Sequence, residues 1–368
     1  MTKRLMQRRP LLWGLGAAVM TVSTSRAFAS PTIAAEIGRR LAQLQSEGRV
    51  SGIDALLVAK GQQLLFERYE TNDDEIWGTP NGSVTFGPTV LHDLRSVTKS
   101  VVGLLYGIAL ADGKVPPPEA KLYAQFPEYA DLAAQPGRDR LTIAHVLSMT
   151  MGIEWDELTI PYGDPRNSEN AMVAAPDRYR YILERPITGE PGVKWVYCGG
   201  ATALLGRLIA RGTGEKLLDY ARRVLFEPLG FGPCEWVVDH TGEPHAASGL
   251  RLLPRDLLKV GQLVIAGGAW NGRQVVPAEW VKRATRQAVT IEGRGGYGYQ
   301  WYLGAIPAGP LQGTAWSAGI GWGGQRLFVV PRLDLVIAIN AGNYRRPIME
   351  QSRIGTLVIT EAVMPSLT

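Results

Sequence analysis

Histidine and cysteine are scarce in this chain of 368 residues, with four of the first and two of the second. His92, His145, His240 and His245 show no His-x-x-x-His or related spacing, and Cys198 and Cys234 complete no ligand set, so no metal site is expected. Two cysteines are also too few for a disulfide framework, and both are expected to be free thiols. Charge of one sign is missing too. The formal net charge is +5, but Lys3, Arg4, Arg8, Arg9 and Arg26 carry that whole excess, with no acidic residue among them. The remainder is neutral, which removes the electrostatic basis for holding nucleic acid or an anionic membrane surface. The apolar run from Leu11 to Val22 is too short to span a membrane and stay there. Between a basic start and Ala27-Phe28-Ala29 it reads as an export signal over residues 1–29, cleaved before Ser30. Arg8-Arg9 suits a twin-arginine signal, and the general secretion route fits as well. A periplasmic or secreted protein without a stable membrane anchor is therefore expected, its working domain spanning residues 30–368.

Hydrophobic residues make up 45% of the chain, enough for a large core. Within it, Leu94-Arg95-Ser96-Val97-Thr98-Lys99-Ser100 opens an apolar run containing Val101, Val102, Leu104, Leu105, Ile108, Ala109 and Leu110. That run has no polar face and predicts a helix buried all round, stopping near Gly113. Residues three apart share a helix face, so Lys99 stands beside the Ser96 hydroxyl. Serine needs an adjacent base to act as a nucleophile, and a lysine among apolar neighbours gives up its proton more readily than one in water. The free N–H groups at the helix start favour developing negative charge, so the Ser96 amide is a candidate for half of an oxyanion hole. Ser-x-x-Lys is common by chance; here it occurs once, at the head of a buried helix, where an unpaired lysine is costly. A serine hydrolase is the reading that follows.

Ile33, Ile37, Leu41 and Leu44 predict an amphipathic first helix. Ala55 to Lys60 and Gln62 to Tyr69 predict a hairpin around Gly61, followed by a polar loop to Ser96. From Ser96 to about Thr285 helices dominate: Thr142 caps Ile143 to Met151, and Ala201 to Arg211, Glu215 to Phe226 and Pro254 to Ala266 follow. His145 lies in the first of these as a packed structural residue. The long loop Glu154 to Pro176, with Trp155, Asp156, Tyr162, Asp164 and Asn170, is expected to wall a site. Strands are expected at Tyr297 to Leu303, Gln325 to Val330 and Leu335 to Ala341, and a last helix at Arg353 to Val363. The sum is an α+β fold: one antiparallel sheet from the N-terminal hairpin and the C-terminal strands, terminal helices on one face, a mostly helical middle at about 96–285, and a site between the two parts.

Two further stretches complete a pattern. Trp195-Val196-Tyr197-Cys198-Gly199-Gly200 resembles the Tyr-x-Asn element of the class C-like branch of the serine β-lactamases and penicillin-binding proteins. Ser317-Ala318-Gly319-Ile320 stands where that group carries Lys-Thr-Gly-x or His-x-Gly-x. The resemblance extends over nearly the whole chain after the signal. It implies the β-lactamase/transpeptidase-like fold, no cofactor, Ser96 as nucleophile, Lys99 as its hydrogen-bonded amine and Tyr197 as general acid/base. It also implies an oxyanion hole from the amides of Ser96 and Ile320, and a substrate site that includes Gly199, Ser317 and Gly319, with Trp155 and Tyr162 as loop candidates.

Two departures bear on substrate. Gly199 replaces the Asn whose amide would hold the substrate's own amide, and Ser317 replaces the cation that attracts a β-lactam carboxylate. Both argue against antibiotic hydrolysis. Tyr197-Cys198 and Gly319-Ile320-Gly321-Trp322-Gly323-Gly324-Gln325 look more like the esterase and 6-aminohexanoate-oligomer hydrolase members. The expected partner is a small-molecule ester or linear amide, with no obligate protein partner indicated. The rivals are a D-alanyl carboxypeptidase, penicillin-binding protein or β-lactamase, and a binding protein that kept the fold and lost turnover. Arg95 and Arg326 are the cations nearest the matched elements in sequence.

Overall fold

A computed structural model describes residues 31–367. The expected signal segment lies outside the described residues.

The chain begins with helix α1 (Pro31–Ser46) and the hairpin β1 (Ile53–Lys60) and β2 (Gln63–Tyr69). Six C-terminal strands, β3 (Val289–Ile291), β4 (Gly295–Tyr297), β5 (Tyr302–Ala305), β6 (Ala315–Gly321), β7 (Gln325–Val330) and β8 (Leu335–Ala341), join that hairpin in one antiparallel sheet ordered β3-β4-β5-β6-β7-β8-β1-β2. β8 pairs with β1 from Ile53↔Ala341 to Lys60↔Leu335, which seals the two ends of the chain into one layer. Every residue of β8 is buried, because both faces of the sheet are covered.

One face carries the chain termini. Ile37, Leu41 and Leu44 of α1, at helical spacing, pack with Leu56, Val58, Phe328 and Ile337 of the sheet and with Ile354 and Val358 near the C-terminus. The other face receives helix α2 (Val97–Ala111); helix α3 (Gly199–Thr213) packs on α2 rather than on the sheet, and helix α4 (Pro254–Ile265) joins α2 on that face. Leu57, Leu327, Val329, Val336 and Ala338 meet Leu257, Val260 and Leu263 there, and the same cluster takes in Val101, Val102, Leu104 and Leu105 of α2. α2 is buried on all sides, as its sequence requires.

Several boundaries differ from the sequence expectation. The segment after β2 is not a plain loop: Thr71–Ile76 and Thr79–Thr85 form a second hairpin, turned at Trp77-Gly78, whose polar strands are largely solvent-exposed. The helix capped by Thr142 ends at Leu147, because Met149 takes a left-handed φ of 56°. The strand expected over 297–303 is broken into β4 and β5. At the break Gln300 has φ 65° and turns inward, taking a hydrogen bond from Thr202 and giving one to the Leu147 carbonyl. β6 was anticipated as a motif, without its strand. The last helix starts earlier, at Ile348, and its regular part ends at Leu357.

Candidate active site

Ser96 caps α2 at the junction of the sheet and the helical middle. The residue before it, Arg95, holds a left-handed φ of 47°, which costs about 1–3 kcal/mol for a non-glycine residue unless its surroundings impose it. They do: the guanidinium meets Glu75 at 2.8 Å and Asp93 at 3.1 Å and lies over the Tyr344 ring. Behind this bend, Leu94 N–H donates to the Leu250 carbonyl, so the short ladder of His92–Asp93 on Leu250–Leu252 anchors the approach to Ser96. Below it is a dry polar pair, His92 Nε2 with Asp54 at 2.7 Å, both fully buried. Burial pulls the His92 imidazole down, but the Asp54 hydrogen bond and charge outweigh it and leave it raised.

One turn into α2, buried Lys99 Nζ donates to Ser96 Oγ at 3.0 Å and to the Ala247 carbonyl at 3.0 Å. Among the described residues it makes no ion pair. The third group arrives from the other side. Val196 N–H is bonded to the Met149 carbonyl, Cys198 caps α3, and between them Tyr197 turns its ring toward the lysine, with Nζ 4.8 Å from the ring centre. Burial, with the charge of Glu157, pushes this phenol well above its ordinary range, against the opposing pull of Ser96. Tyr197 is therefore a neutral phenol at rest.

β6 forms the sheet-side wall. Its ladder with β5 ends at Ala318, so Gly319–Gly321 have a strand partner only in β7. A methyl group on Gly321 would stand 2.6 Å from the Leu94 carbonyl and 3.1 Å from the Ser96 nitrogen, and one on Gly319 would stand 3.0 Å from Ser100 Oγ. The strand approaches the start of α2 as closely as a backbone can. Side chains two apart share a face, so buried Ser317 points to that same side, while Ala318 and Ile320 point to the terminal helices. Ile320 sits in this stretch, between the two closely packed glycines.

Aromatic rings flank the three groups. Trp195 lies 5.9 Å from Tyr197, 5.6 Å from Tyr297 and 6.0 Å from Tyr302. On the opposite side, exposed Tyr162 sets its ring edge on Trp322 and donates its hydroxyl to Glu157 at 2.8 Å, so the 154–176 loop reaches across to the sheet. Trp155 is a different case. Although a candidate for the wall, it is buried behind it, bonded to Glu157 and packed against Gly200. Asp156 and Asp164 serve the loop itself, binding Thr159 and Arg166. Gly199 also has a structural task, for a methyl group there would overlap the Glu169 carboxyl.

Neither arginine near the motifs is free for a substrate carboxylate. Arg95 is held as described; Arg326 is buried, bonded to the Gln325 carbonyl and packed along Gly355, and burial lowers it to about 10. His145 bonds the Thr142 amide, and both thiols are free and buried. Among the described residues no three metal-ligating side chains cluster, and no helix is long and apolar enough to cross a membrane.

Sequence reasoning missed Glu157, Glu169 and the Ala247 carbonyl. Glu157 accepts from Trp155 Nε1 at 2.9 Å, the Gly199 amide at 2.6 Å and the Tyr162 hydroxyl. The available signal was Gly199 itself: a glycine where a side chain is usual makes room for something.

A 6-aminohexanoate-dimer hydrolase of Paenarthrobacter ureafaciens is 27% identical over 323 residues, 82% of this chain and 75% of the relative. Esterase EstB of Burkholderia gladioli is 27% identical over 225 residues, 58% of this chain and 54% of the relative. Among solved structures, a penicillin-binding protein homologue from Caulobacter crescentus superposes with a TM-score of 0.66 at 16% identity, covering 92% of this chain and 98% of the other; it supports the fold alone. The beta-lactamase family model matches residues 37–346, and with a sheet, helical middle and motif order that agree, the chain belongs to the beta-lactamase family.

Proposed function

We propose that this protein is a serine hydrolase that cleaves ester or linear amide bonds through an acyl-enzyme on Ser96. One observation carries the reading: at the N-terminus of a buried helix the Ser96 hydroxyl takes a hydrogen bond from Lys99 Nζ, which itself lies over the Tyr197 ring. Ser96 Oγ attacks the substrate carbonyl as its proton passes to the Lys99 amine, and the amides of Ser96 and Ile320 hold the oxyanion. Collapse breaks the bond to the leaving group. Tyr197, kept neutral by burial, gives that group its proton and is reprotonated from Lys99. Water then attacks the acyl carbonyl, the same pair accepts its proton, and the acid departs as Ser96 is restored.

Small esters and linear amides are the substrate class that the two departures favour. Position 317 offers no cation, and the volume at 199 is closed by Glu169. The half-buried rings of Trp195 and Tyr302 suit an apolar acyl chain, and both the aminohexanoate-dimer hydrolase and the esterase among the relatives agree with that class.

A fluorophosphonate probe tests the assignment. One label is expected, on Ser96, and none in Ser96→Ala, because the probe reports an activated serine. Labelling at another residue, or unchanged labelling of the variant, would remove Ser96 from the centre.

A further inference from the structure

The hairpin at 71–85 has no core of its own: one strand is polar, and the other is exposed except at Val84. Its turn is nonetheless made by a tryptophan. Trp77 and Gly78 hold positive φ values of 46° and 92°, as in a two-residue type I′ turn, whose first position ordinarily takes Asn, Asp or Gly. A bulky side chain in that conformation is strained and persists only where its surroundings hold it. Three contacts do so, all with residues outside the hairpin. The Trp77 backbone N–H donates to Asp93 Oδ2 at 2.6 Å, and the indole N–H donates to Ser248 Oγ at 3.1 Å. The indole ring stacks on the buried His245 imidazole, with centroids 3.8 Å apart and 20° between the planes.

These partners lead to both sides of Ser96. Asp93 also binds Arg95, the residue before Ser96, and the same hairpin adds Glu75 to that guanidinium. On the other side, His245 and Ser248 bracket the carbonyl of Ala247, which accepts from Lys99 Nζ at 3.0 Å. The turn that presents this carbonyl is tight, since the Ser248 and Gly249 amides both donate to the His245 carbonyl, at 3.0 and 2.8 Å. Buried Trp236 donates to the same carbonyl at 3.0 Å, while half-buried Trp77 covers the imidazole.

We propose that Trp77 is a positioning residue for Lys99: by stacking on His245 and bonding Ser248 it holds the turn 245–249 so that the Ala247 carbonyl keeps the amine on Ser96 Oγ. This rests on the reading of Lys99 as the base for Ser96. The reason is directional. An ammonium or amine on a flexible lysine stem is not fixed by one hydrogen bond to a hydroxyl, which itself rotates. Among the described residues the Ala247 carbonyl is its one other hydrogen-bond partner, and a backbone carbonyl is as fixed as the turn that carries it. A displacement of about 1 Å in a reacting group costs up to about a hundredfold in rate, so a loosened turn is felt at Ser96 although Trp77 touches no reacting atom.

The test is kcat and KM for p-nitrophenyl butyrate, with thermal melts and the rate of fluorophosphonate labelling at Ser96. Trp77→Ala should keep a cooperative melt and lower kcat by about tenfold or more, with KM changed by less than about threefold, because a group used in the transition state is displaced. Trp77→Phe keeps a ring on His245 and loses only the indole N–H, and should retain at least about a fifth of wild-type kcat. In a Lys99→Ala background, Trp77→Ala should change the labelling rate by less than about twofold, since the carbonyl then has no amine to hold. A folded Trp77→Ala enzyme with kcat within about threefold of wild type overturns the proposal, as does a loss carried by KM alone or a further loss of about tenfold in the Lys99→Ala background. Where Lys99→Ala labels too slowly to measure, the split between kcat and KM in the single variant decides. If Trp77→Ala does not fold, Ser248→Ala serves: it removes the acceptor of the indole N–H and should lower kcat about two- to fivefold at constant KM, and an unchanged kcat overturns the proposal. Failure of the underlying reading looks different: near-normal turnover in Lys99→Ala itself, or no label on Ser96.

Discussion

Two helix N-termini meet at this site and are used in different ways. α2, capped at Ser96, has no side-chain cap bond and no acidic residue in its first turn; its amides at Val97, Thr98 and Lys99 are taken by the carbonyls of Leu94, Arg95 and Ser96, and the Ser96 amide stands ahead of them. α3 starts at Gly199, and there the first amide is already taken by Glu157 at 2.6 Å. The first amides are thus closed by backbone carbonyls in one helix and by a carboxylate in the other, and under the proposed mechanism a developing oxyanion would draw on the Ser96 amide at the α2 end. The α3 end is spent on structure: Glu157, bonded also by Trp155 and Tyr162, fixes the segment that carries Tyr197.

Removing the groups between the two ends should have the largest effect. Lys99→Ala and Tyr197→Phe are each expected to lower kcat by about a hundredfold or more with the fold retained, because each deletes a proton-transfer group used in the transition state. Steady-state kinetics with circular dichroism checks this. Near-normal turnover in Tyr197→Phe would mean that the proton passes by another route.

The second prediction sharpens the contrast at the α3 end, where a closed slot replaces a substrate-binding amide. Without that amide, and without a cation at 317, a β-lactam loses two orienting interactions. A hydrogen bond to a charged group contributes about 1.5–3 kcal/mol, so each loss lowers kcat/KM about ten- to a hundredfold. Short-chain p-nitrophenyl esters need neither contact. Ester turnover should exceed that of nitrocefin by at least about two orders of magnitude. Comparable rates would overturn the reading of Gly199 and Ser317. Including a 6-aminohexanoate dimer in the same assay separates an amidase from an esterase preference.

The same contrast explains what was legible in the sequence. Ser96 and Lys99 could be read because they are three apart on one apolar helix, a local relation. Tyr197 and the 317–320 stretch came only through resemblance, since nothing local ties a tyrosine about a hundred residues away to a serine. Much of the sheet built from both chain ends was legible from its apolar runs. The polar hairpin at 71–85 was not, because its strands bury little and show no alternation. Gln300 broke a strand through bonds to Thr202 and Leu147, which no window around it contains. Glu157 and Glu169 were invisible for the same reason: Glu157 meets Gly199 across 42 residues, and Glu169 meets it only in three dimensions.

The smallest expected effect concerns the loop that joins the two ends. Tyr162 donates to Glu157 and rests on Trp322, so its hydroxyl steadies the carboxylate that holds Gly199, and its ring closes the cleft toward the sheet. Tyr162→Phe keeps the ring contact and removes one of three donors to Glu157. Trp155 and the Gly199 amide still donate to Glu157 in the variant, so the net loss should fall near the ordinary value of about 0.5–1.5 kcal/mol. That corresponds to about a two- to tenfold drop in kcat/KM. It should come mainly through KM, since the Ser96, Lys99 and Tyr197 contacts are untouched. Separate kcat and KM values on p-nitrophenyl butyrate decide the matter. A fall in kcat of a hundredfold would put Tyr162 in the proton path rather than in the wall, and an unchanged KM would show that Glu157 holds the α3 end without it.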